Sequence, residues 1–560
     1  MFLELQGFPL IIVAIIAFLI ILGAIICLHE AGHFFVAKKC GVLCHDFSIG
    51  MGPAIYKKKG VETTFCVRAV PLGGFVSMAG EEATDDLTKI GSSIGLNLED
   101  DIVTEIILDD KASCMVRGEI SDKDLDGKDG KDLYITLIDD MGEAHYYQVS
   151  ETAKYVFERQ ETLQLAPYHR TFDSKKIWQR LLILFAGPFM NFVLAFVLYL
   201  IIAFSTGVPN LGSNVVGNVA DGYPASSFLA SGDSITSVNG VKVTTWNEFQ
   251  KEMDKLYSNY GTTVSITYTH DNEEKEAVME TYTSIVSIGL TNFGAESLTL
   301  TNIPNTSING LEVGKATLSN GKNSIRYKSE DGTITKGDYL TKVSIDNQVY
   351  EIESWSQLIR LFGEMDVKTS VDVRFEYYDK QEDGTYKLVT IEDCKSIEPY
   401  TDELLDNQRV EKIAQYIGVS PKYHFSFFEC IGEAAKSFWN DFTLIFRTLG
   451  LLIAPSSVRQ VGVSDLSSVV GIFDLVKTYV GSGILPLLSL TALLSVNIGV
   501  MNLLPIPALD GGRILFLIIE AITGKKVPKK VENVINLVFM GLLLILFVFI
   551  TYNDILRIIH

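Results

Sequence analysis

Two histidines and a glutamate stand at a spacing that can do chemistry. His29-Glu30-Ala31-Gly32-His33 fits the pattern H-E-x-x-H. Positions i and i+4 share one helix face, so both imidazoles can grip a single metal ion. Glu30, next to the first ligand, is placed to take a proton from a water. The motif begins directly after an uncharged run, residues 8–28, and His29 lies nine residues before Lys38. At about 1.5 Å per residue, His29 is then no deeper than about 13 Å from the end of the apolar stretch. An ionisable group there costs about 2.5–3.5 kcal/mol or more unless paired, so such groups are read first as functional. Zinc in a hydrolytic site takes three protein ligands and keeps a position for water. His45 follows the Lys38-Lys39 boundary and reads as a surface residue. Asp510 is the better third ligand. It ends the stretch Asn502-Leu503-Leu504-Pro505-Ile506-Pro507-Ala508-Leu509-Asp510, where two prolines stop regular helix at the same level as His29. Asn191, Asn497 and Asn502 are candidates for oxyanion or substrate-backbone contacts, with Gly73 and Gly74 allowing close approach.

The elements that must position these groups follow from the hydropathy pattern. The chain has 560 residues, 21% of them charged, and its mean hydropathy is +0.23. The apolar residues concentrate in four uncharged runs, 8–28, 181–204, 481–509 and 534–552. About 20 apolar residues cross a hydrocarbon core of about 30 Å, so four transmembrane helices are expected. The first run lacks the basic lead and cleavage pattern of a signal peptide. A shorter stretch, 442–454, holds Arg447 and reads as a helix at the membrane surface. Lys38, Lys39 and Lys57 to Lys59 follow the first run. Lys175, Lys176 and Arg180 precede the second. Arg513, Lys525, Lys526, Lys529 and Lys530 separate the third and fourth. All fall on one side if the chain crosses four times, and that side is cytoplasmic. The segment from about 207 to 440 is then extracytoplasmic. A net charge of −21 excludes a nucleic-acid binder that works by phosphate neutralisation. Seven cysteines exclude a disulfide scaffold, and whether Cys394 and Cys430 pair stays open.

The outer segment repeats itself. Gly232-Asp233-Ser234-Ile235, Val238-Asn239-Gly240, Trp246 and Phe249 correspond to Gly337-Asp338-Tyr339-Leu340, Ile345-Asp346-Asn347, Trp355 and Leu358. Each copy predicts a turn, a short strand, a helix opening at the Trp and then alternating strands at 263–268 and 370–377. Both resemble PDZ domains, which take peptide ends as an added strand. On the inner side, residues 81–170 hold 22 Asp or Glu against 9 Lys or Arg. Alternation at 134–138 and 146–149 predicts a small soluble β-rich domain. Its Asp122 to Gly127 begins like a calcium loop, but Leu133 occupies the position that needs a bidentate Glu, so it reads as an acidic turn.

Taken together, His29 to His33, Pro71-Leu72-Gly73-Gly74-Phe75, Ala186-Gly187-Pro188 with Asn191, the PDZ-like repeat and Asn502 to Gly512 resemble the site-2 protease family of intramembrane zinc metalloproteases, and within it the bacterial regulator of sigma-E protease group. The resemblance implies Zn2+ held by His29, His33 and Asp510, with Glu30 as general base. It implies a polytopic α-helical membrane protein with tandem extracytoplasmic PDZ-like α+β domains and a membrane-re-entrant β loop. The expected map runs as follows: 1–37 first span, 38–80 re-entrant loop, 81–174 cytoplasmic β-rich insertion, 175–207 second span, 208–303 and 304–420 PDZ-like domains, 421–480 interfacial helix and connection, 481–512 third span, 513–560 loop and fourth span. The function implied is hydrolysis of peptide bonds in the transmembrane segment of single-pass membrane proteins after outer trimming. Anti-sigma factors and remnant signal peptides are the typical substrates, in a bacterial inner membrane with the zinc site near its cytoplasmic face. A membrane PDZ scaffold and a zinc transporter are the competing readings. A scaffold has no need of Glu30, and a transporter would place ionisable groups near the midplane of several spans.

Overall fold

A computed structural model describes residues 8–81, 87–109, 111–139, 141–157, 162–259, 261–285, 290–291, 300–313, 315–316, 328–329, 332–334, 337–364, 371–381, 383–390, 395–397, 413–453 and 468–559. Cys394 lies outside them, while Cys430 carries a free, buried thiol. The helices in chain order are α1 (Phe8–Lys39), α2 (Ile177–Thr206), α3 (Trp246–Ser258), α4 (Trp355–Glu364), α5 (Phe427–Ile453), α6 (Val469–Ser482), α7 (Ile484–Leu503), α8 (Asp510–Thr523) and α9 (Lys529–Ile559). Among the described residues four helices, α1, α2, α7 and α9, are long and apolar enough to cross a bilayer. The protein is a multi-pass membrane protein. The chain divides into two compact units, one made of Met1–Ile202, Ala434–Ile445 and Ser467–His560, the other of Ala203–Glu433 and Phe446–Leu466.

In the first unit, α1 and α2 meet where side chains are smallest. A Cβ on Gly32 would lie 2.2 Å from the Ala186 carbonyl oxygen, so only glycine permits this crossing. The expected third span, 481–512, is shorter than its uncharged run. Gly483 at φ 111° separates α6 from α7, and α7 stops at Leu503, just before Pro505 and Pro507. Asp510 therefore opens a separate helix, α8. That helix is tied to α2 by a two-point ion pair, Arg180 Nη2 to Glu520 Oε1 at 2.6 Å and Nη1 to Oε2 at 3.0 Å, with both side chains largely buried.

Between α1 and α2 the chain makes two β structures. The first is a long hairpin of β1 (Cys44–Lys59) and β2 (Thr64–Met78). It doubles on itself: Asp46 to Ile49 pair with Ser77 to Gly74 on one side and with Thr64 to Val67 on the other. Gly74 to Ser77 is thus an edge, paired on one side only among the described residues. Lys38 and Arg170 both bond Glu62 at the hairpin's far turn, at 2.6 and 2.8 Å, and the Lys38 hydrogen bond leads in holding its carboxyl below the ordinary range. The second structure is a sheet of β3 (Ser93–Glu99), β4 (Ile102–Ile107), β5 (Val116–Asp124), β6 (Tyr134–Ile138), β7 (Ala144–Val156) and β8 (Thr162–Gln164), in the order β4-β3-β5-β6-β7-β8. A parallel β4–β7 pairing closes five of these strands into a small barrel. Alternate residues point inward, so Ile94, Leu96, Ile106, Ile120, Ile135 and Leu137 make the core. The acidic turn is an Asx turn, in which Asp124 Oδ1 accepts the backbone N–H groups of Asp126 and Gly127. Leu133 is buried in the barrel.

In the second unit both repeats have their helix opening at the tryptophan, α3 at Trp246 and α4 at Trp355, each lying on its own apolar core. Thr245 and Glu248 close a capping box on α3. The expected boundary at residue 420 is displaced. Tyr282–Ile285 pairs with Ile413–Tyr416, and Val216–Val219 pairs with Val419–Pro421. Residues 413–421 return to the first repeat, whose core includes Ile417. The second repeat is therefore inserted into the first. Short-range alternation is blind to such long-range pairing.

Replacing Arg180 by Met leaves Glu520 charged and unpaired beneath the surface. The expected cost is about 3–5 kcal/mol, and Arg180→Met with Glu520→Leu should recover most of it. Thermal unfolding in detergent of the two variants measures this. Equal melting temperatures would show that the pair does not tie α8 to α2.

Candidate metal centre

The last three turns of α1 carry His29, Glu30 and His33, each less than a tenth exposed. Asp510, the first residue of α8, reaches the same point. His29 Nε2 and His33 Nε2 lie 3.2 and 3.3 Å from Asp510 Oδ2 and 3.3 Å from each other. His33 Nδ1 lies 2.7 Å from the Ile183 carbonyl and donates to it, so its Nε2 presents a lone pair. The donor of that bond comes from α1 and the acceptor from α2, where Pro188 leaves the neighbouring Leu184 carbonyl without its i+4 donor. Gly187 leaves room for the ring: a Cβ there would sit 2.2 Å from His33 Nε2.

Nitrogen and carboxylate lone pairs facing each other at this range repel unless a cation or proton stands between them. Bonds of about 2.0–2.1 Å in a tetrahedral zinc site put neighbouring ligand atoms about 3.3 Å apart. The two imidazoles and the carboxylate match zinc in donor type and in spacing, and these three residues form a group able to hold a metal ion. The amide of fully buried Asn191 stands 3.2 Å from His29 Nδ1, while its Oδ1 has no partner. Turned end for end, the amide oxygen accepts Nδ1–H, gains the bond it lacks and leaves His29 Nε2 free for a metal. Ser495 on α7 donates to the Asn191 carbonyl at 2.8 Å and holds that turn of α2.

Asp510 is aimed by the loop before it. Ala508 adopts φ 75°, unusual for a residue with a Cβ, and its N–H donates to Asn536 Oδ1 on α9 at 3.1 Å. A cavity of about 960 Å³ opens on His29, Glu30, His33 and Asp510. Gly74 lines it, and the missing Cβ lets β2 pass within van der Waals contact of Glu30: an added methyl would come 2.9 Å from Glu30 Cγ.

Among the sequence candidates, His29, Glu30, His33, Asp510 and Gly74 converge on this cavity. Asn191 does not line it; it touches a histidine instead of offering a surface to substrate. Asn497 and Asn502 of α7 and Gly73 of β2 are absent from its lining as well, and Asn497 is exposed elsewhere on α7. His45 is a correction. It is half-buried and lines the cavity, because the hairpin folds back under α1, and burial pushes its imidazole below the usual value. Asn536 and the Arg180–Glu520 pair escaped sequence reasoning. For Asn536 a signal existed, a lone amide near the start of an uncharged run. For the ion pair none did.

A model of peptidase family M50 matches residues 17–546. A zinc metalloprotease RasP of Shouchella clausii is 30% identical over 543 residues, 97% of this chain and 98% of its own. The regulator of sigma-W protease RasP of Bacillus subtilis is 28% identical over 554 residues, 97% and 98% of the two chains. A Staphylococcus aureus relative is 29% identical over 549 residues, 98% and 99%. A PDZ domain of an SdrC-like protein from Listeria monocytogenes is 25% identical, covers 18% of this chain and 85% of its own, and has a TM-score of 0.11.

Asn191→Leu keeps the volume and removes the amide on His29 Nδ1. Zinc affinity, read by chelator competition on purified protein, is expected to fall about 10–100-fold. Asn191→Asp, which still accepts from Nδ1, should lose far less. Equal losses in both variants would refute the orienting role.

Proposed function

This chain belongs to peptidase family M50 and is a zinc metalloprotease, and from that premise we propose that it hydrolyses peptide bonds within the transmembrane segments of single-pass membrane proteins. The observation that carries the reading is the convergence of His29 Nε2, His33 Nε2 and Asp510 Oδ2 within 3.3 Å at the end of an apolar helix, with Glu30 beside them in one cavity. The family leaves no place for the scaffold and transporter readings.

His29, His33 and Asp510 hold the zinc. Bound there, it supplies a Lewis acid that polarises the scissile carbonyl and acidifies a water. Glu30 takes the proton of the attacking water and returns it to the leaving nitrogen. Ile183 and Asn191 fix the two rings, so little reorganisation accompanies the chemistry. The free edge Gly74 to Ser77 borders the same cavity. A transmembrane helix hides its amides in its own ladder, so it must unwind before attack, and this edge offers its freed N–H and C=O groups a partner.

The basic residues flanking the spans support a topology with this site near the cytoplasmic face and the PDZ-like repeats outside. Met51, Ile55, Tyr56, Val61 and Val70 expose apolar surface along the hairpin, which suits a loop re-entering the bilayer. The outer repeats act as a size filter or a dock for a newly made peptide end, so substrates arrive already shortened outside. By resemblance to the sigma-W regulator, membrane-bound anti-sigma factors are the expected class, with remnant signal peptides a second.

Glu30→Gln, reconstituted in liposomes with a model transmembrane substrate, is expected to bind zinc as the wild type does and to cleave at least about 100-fold more slowly. Cleavage that persists with zinc retained would remove Glu30 from the role of base. A wild type that binds no zinc would end the assignment of ligands.

A further inference from the structure

The acidic insertion does not hang free of the catalytic centre. The cavity that touches His29, Glu30, His33 and Asp510 is also walled by Lys123 and Asp124 at the end of β5, by Leu125 and Asp126 of the turn after it, by Tyr155 of β7, and by residues 163–166 at β8. The edge strand Gly74 to Met78 runs along it toward Gly80 and Glu81. One continuous space thus joins the catalytic groups, the edge that fits an extended chain, and the barrel. Its volume of about 960 Å³ stands at the top of the range for sites that enclose a small molecule, about 300–1,000 Å³. An extended chain advances about 3.3 Å per residue, so a peptide paired to that edge continues past Glu30 toward the barrel.

We propose that the barrel of β3 to β7, with β8 at its side, is the far wall of the substrate cleft and receives the basic cytoplasmic flank of the substrate. The inference deepens the protease reading and rests on it. The occupant follows from charge. Single-pass segments carry Lys and Arg on their cytoplasmic side. The insertion, residues 81–170, carries a net −13, from 22 acidic and 9 basic residues. At the barrel end of the cavity two carboxylates, Asp124 and Asp126, stand against one ammonium, Lys123, while the charge of Arg513 is matched by Glu81. Lys123 donates to Thr88 Oγ1 at 2.7 Å. Asp124 is fixed by its own turn, and Asp126 beside it is exposed on the cavity wall. Leu125, Leu163 and Leu165 form an apolar floor on which the long stems of Lys and Arg can lie with their heads toward the carboxylates.

The test uses the full chain in lipid vesicles and three versions of one model substrate, whose cytoplasmic flanks are Lys/Arg-rich, Asn/Gln-neutral and Asp/Glu-rich. The wild type is expected to cut the basic flank about fivefold faster than the neutral one and the acidic flank more slowly still, a contrast of the size that one or two partly screened pairs produce. Asp126→Lys, on an exposed turn, should invert the order. Independently of cleavage, a benzoylphenylalanine at Gln164 in the zinc-loaded Glu30→Gln chain should crosslink to the basic flank. Cleavage indifferent to flank charge, or failure of that crosslink, overturns the proposal while leaving the protease intact. If no version is cut by the wild type, the catalytic reading is what fails, and the crosslink still decides where the flank lies.

Discussion

Three lone pairs aimed at one point are an unstable arrangement on their own. His29 Nε2, His33 Nε2 and Asp510 Oδ2 approach to 3.2–3.3 Å inside a largely buried site, where repulsion is screened far less than in water. A divalent ion turns that repulsion into binding energy. The protein must therefore bring the groups together against their own tendency to separate, and much of the first unit serves that end. Glycine at 32 and 187 lets α1 and α2 come close enough for the Ile183 carbonyl to fix one ring. Asn191 fixes the other.

The carboxylate presents the harder problem, since Asp510 is almost 480 residues away in sequence from the histidines. A continuous helix through residues 481–512 would have carried it past the site. The prolines at 505 and 507 stop α7, and Ala508 turns the chain with a backbone conformation that Asn536 holds through its N–H. The new helix is anchored at its other end by Glu520 on Arg180, so the segment that bears Asp510 is held at both ends by α9 and α2. A single carboxylate is placed by polar contacts that are themselves shielded from water, where each is worth more than at a surface.

The parts legible in the sequence were those governed by local spacing. The i, i+4 histidines, the proline break before Asp510, the four apolar runs and the strand and helix order of each repeat all depend on neighbours within a few residues. What stayed hidden depends on partners far away. Nothing near Arg180 announces Glu520. The double pairing of Asp46 to Ile49 is not implied by alternation in either strand, and for that reason His45 read as a surface group when the hairpin folds it into the cavity wall. Asn191 showed that a polar residue belonged inside the bundle, but the choice between touching substrate and orienting a ligand lies in the geometry of His29 Nδ1. The acidic composition of residues 81–170 marked a soluble domain. That its turn borders the catalytic space follows only from the fold.

The return of residues 413–421 to the first repeat has a consequence for how this chain is made. The ribosome releases residues 208–285 long before the strands that complete their sheets, and the whole second repeat is synthesised in the interval. Domains that emerge first usually fold first, but here the earlier module has to wait with an open seam until the later one has been delivered. The module encoded second is the one able to finish first, and its two ends, brought together by its own folding, then present the closing strands to the module that surrounds it.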